Sequence, residues 1–383
     1  ITDQLEKLPF YNSFFNCSND VAITMANELV GIMPDHLNHI FFTNSGSEAN
    51  DTNIRLIHRY FDVLGKPAKK NIISRQNAYH GSTIAAASLG GMSYMHDQFV
   101  GLTFTHHVEQ PYWFEATGDL DPESFGLQVA ESLARKIDEL GADTVAAFIA
   151  EPIQGAGGVV IPPASYWPAV EKICRDRDVL IVSDEVICGF GRTGSWFGCE
   201  TFGFKPDLLT FAKAVTNGFQ PLGGVAVSDK VFAVLQSENI EFSHGFTYSG
   251  HPVTCAAGLA TLAIYKETGM INSVATDLSP YFNERWDQLK DHPIVGEART
   301  QGMLGAIELV REKSSRMRLA PDSEAATFCR DRAIDSGLMV RAIKNAMVSA
   351  PPFVCSKAEI DLLIERLVIA LDQTASHYGI NER

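Results

Sequence analysis

Two apolar runs in this chain end on charged residues, and that is where chemistry is expected. VLIVS at 179–183 delivers two acids, Asp184 and Glu185, where a buried strand would be followed by more core. Burying a carboxylate is costly unless a cation or hydrogen-bond donors meet it, so Asp184 calls for a positive charge. LLTFA at 208–212 ends on Lys213. An ammonium held against the end of an apolar strand is disfavoured, which favours a neutral, usable amine. A lysine at a strand end also fits an ordinary surface role. HIFFT at 39–43 leads into NSGSEAN at 44–50, a turn of small residues feeding a helix. Free N–H groups and the helix dipole there would face an anion such as a phosphate, and the same residues fit a plain N-cap with Glu48 in the first turn. NIISR is followed by NAYHGST, whose Tyr79 could stack on a flat ring or simply pack, and AAFIA by Glu151 and the flexible PIQGAGG. A phosphate cradle, a stacking tyrosine, a buried carboxylate and a strand-end lysine together describe a pocket for pyridoxal 5'-phosphate. Lys213 would link covalently to the aldehyde and Asp184 would pair with the protonated pyridine nitrogen.

The elements that must position these residues are strands of a doubly wound sheet. Short apolar runs alternate with helical patterns through the middle of the chain, and working residues gather at the carboxyl ends of such strands. Strands are expected at 39–43, 71–75, 144–151, 179–183, 208–212 and 223–228. Between the first two, Ile54, Ile57, Tyr60, Phe61 and Leu64 fall on one face at helical spacing. A further helix opens near His251-Pro252. Beyond about Lys266 the pattern changes to shorter strands, MLGAIELV and LMVRAI, among helices such as SEAATFCRDRAID and KAEIDLLIERLVIALDQTASHY. The expected division is a remnant of an N-terminal segment at 1–15, a large cofactor-binding domain at 16–265 and a small α+β domain at 266–383.

Bulk composition excludes several classes. The 383 residues carry a formal net charge of −15, which argues against a binder of nucleic-acid backbones. No apolar run approaches the length of a membrane span. ITDQLEKLPF has neither a basic region nor an apolar core of a leader, and it lacks an initiator Met. Seven cysteines without a CxxC pair point to reduced cytosolic thiols, with Cys174 and Cys255 as core packing. No residue is assigned to a metal. GFGRTG at 189–194 matches GxGxxG after a strand, but SWFGCETFGFKPD does not open the helix a dinucleotide site needs.

SGSEAN, AYHGST, EPIQGAGGV, SDEVICGFGRTG, TFAKAVTNG and FTYSGHP occur in this order across nearly the whole chain. They resemble the class III aminotransferases, specifically the ω-amine:pyruvate transaminases. The resemblance implies the aspartate-aminotransferase fold (fold type I of the enzymes using this cofactor), a mostly parallel seven-stranded sheet in the large domain and a smaller α+β domain. It implies that Lys213 bonds the cofactor, Asp184 meets its ring nitrogen and Val186 lies behind the ring. Tyr79 with its neighbour His80 would contact the cofactor, Gly46 and Ser47 would form the phosphate turn, and Glu151 would orient the Asp184 region. Thr247, with Phe246, looks like the pair a neighbouring subunit lends to the phosphate, which implies a homodimer or a dimer of dimers. Family members carry a longer segment before a stretch like LPFYNSFF, so this numbering is expected to describe only a portion.

The resemblance also implies a ping-pong transfer of an amino group from a primary amine or ω-amino acid, such as putrescine or β-alanine, to pyruvate. Lys213 would move the proton as general acid–base. Phe14 or Phe15, Tyr79, Ala156 and Phe246 would wall the substrate, and Arg341 would reach in from the smaller domain to meet a keto-acid carboxylate. Phe14 and Phe15 fit a purely packing role equally well. An aminomutase or a decarboxylase would need the same cofactor residues. A cofactor-binding regulator would need a basic DNA-binding module, which the acidic chain does not show.

Overall fold

The computed structural model describes residues 1–116, 120–237, 242–321 and 323–380. Seven strands form the large sheet: β1 (His39–Thr43), β2 (Asn71–Arg75), β3 (Thr105–Val108), β4 (Val145–Ala150), β5 (Leu180–Asp184), β6 (Leu208–Phe211) and β7 (Gly223–Val227), in the order β1-β7-β6-β5-β4-β2-β3. β7 alone runs against the other six, pairing antiparallel with both β1 and β6. β4, β5 and β6 are buried along their whole length, as β-branched and apolar runs covered on both faces must be. The expected strand positions hold, with β3 the strand that periodicity does not reveal. Its sequence THHV sits at the sheet edge, half-buried, so neither alternation nor an apolar run marks it.

The helix Gly46–Val63 follows β1 and lays Ile54, Ile57, Tyr60 and Phe61 into the core. Leu64 departs from the expected face: it is the C-cap and is exposed. Asn50 and Asn53 share the buried face with the apolar residues, and their partners lie in the site. Helix Pro252–Glu267 starts at the expected proline, which has no N–H to lose at that position. After GFGRTG only a four-residue helix, Gly198–Thr201, forms, in line with the rejection of a dinucleotide site.

A second sheet is wholly antiparallel. β8 (Val295–Gln301) and β12 (Ala346–Ser349) flank β9 (Leu304–Glu312), with β10 (Met317–Arg318) also on β9 and β11 (Arg341–Ile343) on the outer edge of β12. Helices Glu324–Asp335 and Lys357–His377 cover it around Phe282, Trp286, Met347 and Leu367. LMVRAI supplies a strand only over its last three residues, VGEARTQ is a strand that its polar residues hide, and AMVS is one of only four residues. Among the described residues no helix is long and apolar enough to cross a membrane. The cysteines are all free, with Cys174 and Cys255 fully buried.

Candidate active site

Parallel register explains why the site exists. Ala150 pairs with Ser183, and Asp184 with Thr210, so Glu151, Asp184 and the residues after Phe211 emerge together at one sheet edge. They border a cavity of about 460 Å3 with Gly46, Ser47, Tyr79, His80, Val186 and Lys213. Eight of the residues singled out in the sequence thus meet in one place.

Asp184 is 3% exposed. Its Oδ2 accepts from Asn50 Nδ2 at 2.8 Å and faces His80 Nδ1 at 2.8 Å, and its Oδ1 accepts the Val186 N–H at 3.2 Å. His80 Nε2 is buried without a partner. A proton on Nδ1 leaves Nε2 as an empty acceptor, whereas a doubly protonated ring would bury an unpaired N–H. The geometry therefore assigns three neutral donors to Asp184. No Lys or Arg pairs with it among the described residues, and a cationic ring nitrogen would supply the missing charge. Beneath it, Asn50 Nδ2 also donates to the His80 carbonyl at 2.7 Å, and Thr210 Oγ1 donates to Asn50 Oδ1 at 2.8 Å. Asn50 is the residue that sequence reading missed. The available signal was a pair of asparagines on the apolar face of an amphipathic helix.

Glu151 and Glu185 both hold main chain. Glu151 Oε1 accepts the Tyr79 N–H at 3.1 Å and Oε2 the Gly155 N–H at 2.9 Å. Burial raises its carboxyl above the ordinary value, against the pull of these donors. Glu185 accepts from Gly198 N and Cys199 N at 2.7 Å and from Ser183 Oγ at 2.9 Å. Burial pushes it up to about 7 despite those donors. The second acid of the pair therefore fastens the 198–201 turn beneath the site.

The anion cradle has the expected form. Ser45 caps the helix by accepting the Glu48 N–H at 3.2 Å, and Glu48 Oε2 accepts the Asn44 N–H at 2.8 Å. The N–H groups of Gly46 and Ser47, which the helix cannot pair, border the cavity. A Cβ at Gly46 would stand 2.8 Å from Val186 Cγ2, and one at Gly81, where φ is +134°, would collide with Ser47 Oγ. The N-cap is therefore formed, and its free N–H groups leave room for an anion at the same turn.

Lys213 departs from the expected burial. Its side chain is exposed at the cavity rather than sealed against β6, so the predicted desolvation is absent in the single chain. Its φ of +48° is one that non-glycine residues rarely adopt.

The expected substrate walls do not line this cavity, apart from Tyr79. Phe14, Phe15 and Phe246 border a second cavity beside His244. Ala156 and Arg341 border a third. Thr247 is exposed next to Phe246. Nothing in the single chain brings these groups to Lys213.

A mostly parallel sheet with a helix-capping turn, a buried aspartate and a lysine at adjoining strand ends around one cavity fits pyridoxal phosphate. The comparisons name the family. The sequence profile of aminotransferase class III matches residues 1–371, so the chain belongs to the class III aminotransferases and works with pyridoxal phosphate. A putrescine–pyruvate aminotransferase of Pseudomonas aeruginosa is 47% identical over 379 residues, 98% of this chain and 82% of that protein. A vanillin aminotransferase of Capsicum annuum is 42% identical over 97% of this chain and 82% of its own length. The omega transaminase of Pseudomonas jessenii in complex with PMP superimposes with a TM-score of 0.96 at 38% identity, covering 100% of this chain and 85% of that one.

Proposed function

We propose that this aminotransferase takes the amino group of a primary amine or ω-amino acid and gives it to pyruvate. The observation that carries the site assignment is the buried Asp184, with neutral donors alone, facing the same cavity as Lys213. The cofactor supplies an electron-accepting ring when bound. Asp184 would keep the ring nitrogen protonated, Asn50 and His80 hold Asp184 in place, and Tyr79 and Val186 would hold the ring. Gly46 and Ser47 present N–H groups to the phosphate. Lys213 would hold the group covalently, and its amine in the neutral form would serve as the base that moves a proton. The relation to the putrescine–pyruvate enzyme supports the donor and acceptor classes. Incubation of the purified protein with pyruvate and a panel of diamines, ω-amino acids and aryl amines, followed by assay of alanine, tests this. Amine-dependent alanine is the expected result, and none from any donor refutes the acceptor assignment.

The exposed Thr247 and Tyr248, with Phe15 at 88% exposure, support a homodimer or dimer of dimers in which Phe246 and Thr247 complete the neighbour's site. Arg341 would meet the keto-acid carboxylate and swing away for an uncharged amine, while Phe14, Phe15 and Ala156 would shape the wall. Separate apolar cores around the two sheets support the division at 265/266. Seven free thiols support a cytoplasmic location.

A further inference from the structure

We propose that the tip of the β11–β12 hairpin is a second carboxylate subsite. Lys344 and Asn345 there hold the far acid group of a dicarboxylic keto acid or amino acid, whose near carboxylate meets Arg341. The proposal rests on the carboxylate role given to Arg341, and pyruvate would use Arg341 alone.

The third cavity, of about 660 Å3, is bordered by Asn77, Tyr94, Ala156, Arg341, Lys344 and Asn345. Its described lining residues include the cations Arg318, Arg341 and Lys344 and no Asp or Glu, in a chain of net charge −15. Arg318 is engaged by Glu115 at 3.1 Å. Arg341 and Lys344 make no ion pair among the described residues, so their charge is available to a ligand.

Two features of the tip point to a built site. Lys344 is the first residue of a two-residue loop between Ile343 and Ala346, with φ of +52°. Such loops favour glycine where φ is positive, so a long cation is held there against the local steric preference. Asn345 is 1% exposed, and neither its Nδ2 nor its Oδ1 has a hydrogen-bond partner. Buried amides are almost always satisfied. The Asn345 carbonyl accepts the Leu309 N–H at 3.1 Å, which fixes the residue to the neighbouring strand. A lysine guarding an edge strand would account for the charge but not for the unpaired amide beside it. A carboxylate accounts for the charge and for the amide N–H, accepting from Asn345 Nδ2 and from the Lys344 ammonium. Arg341 lies three residues away, about 10 Å along an extended chain. The flexible side chains at both positions can close that distance to the span of a short diacid.

Calorimetric titration of the holoenzyme with glutarate and with butyrate, which are unreactive acids differing in the second carboxylate, tests the proposal. Wild type is expected to bind glutarate at least about tenfold more tightly than butyrate, a step of about 1.4 kcal/mol. Lys344→Gly should lose that advantage, leave butyrate binding unchanged and melt no lower than wild type, since glycine accepts the left-handed backbone. Asn345→Ala should weaken glutarate in the same sense. Equal affinity of wild type for the two acids, or undiminished glutarate binding in both variants, overturns the subsite. Arg341→Ala should weaken both ligands. If it changes neither, the carboxylate role of Arg341 fails, whereas an error in the amine-to-pyruvate reading would appear separately as absent alanine formation.

Discussion

The cavity at the end of the large sheet and the hairpin of the small sheet both present a lysine in a left-handed backbone, Lys213 at φ +48° and Lys344 at φ +52°. They are supported differently. Lys213 follows β6, whose residues are all buried and whose register with β5 sets Thr210 beside Asp184. Lys344 follows β11, a three-residue strand at the sheet edge paired on one side only. The strand before the first position is packed in a core, and a few ladder hydrogen bonds hold the strand before the second. The first region is thus suited to chemistry that tolerates little displacement, and the second to a contact that must form and release.

Breaking the rigid region should cost most. Lys213→Ala is expected to abolish the borohydride-reducible link to the cofactor and nearly all turnover while far-UV dichroism stays native. Peptide mapping after reduction would expose an error by placing the pyridoxyl group on another lysine. Asp184→Asn removes the charge that Asn50 and His80 surround. The loss of a buried ion pair costs about 3–5 kcal/mol, so turnover should fall by several orders of magnitude and cofactor should be retained less well. Near-native rates in this variant would exclude the charge-pairing role.

Glu185 sharpens the contrast within that same region, because it acts on stability. Its carboxyl stands at about 7 in the folded chain against an ordinary 4.5. The folded state therefore binds more protons than the unfolded state between these values. The stability that Glu185 contributes is complete below about 4.5 and is lost as pH rises through about 7, a change of about 3 kcal/mol. Glu185→Gln should flatten that slope, as read by denaturant midpoints across the window. An unchanged slope would mean that Glu185 is ionised in the fold.

The hairpin should respond least and selectively. Arg341→Ala is expected to raise the Michaelis constant for pyruvate by the loss of a charge-assisted pair, about 2 kcal/mol. The half-reaction with a simple alkyl or aryl amine should change far less. Single-turnover spectra of each half-reaction separate these effects, and equal losses in both would make Arg341 structural rather than a switch.

The sequence alone determined the strands of the large sheet that carry the site and the chemical residues at their ends. An apolar run followed by a charged residue is a local pattern, and parallel strands place such ends at a common edge. Lys213, Asp184, Tyr79 and the Gly46–Ser47 turn were legible for that reason. β3, β8 and β12 were hidden because their stability comes from neighbouring strands rather than from an alternation of their own. The roles of Asn50, His80 and Glu185, and the unpaired amide of Asn345, were decided by tertiary structure. Asn50 and Asp184 stand 134 positions apart, and no periodicity reports a hydrogen bond across such a separation. Only the folded chain showed that Phe14, Phe246 and Arg341 lie in cavities apart from Lys213. They sit on connections and on a small-sheet edge, where strand register imposes no common position.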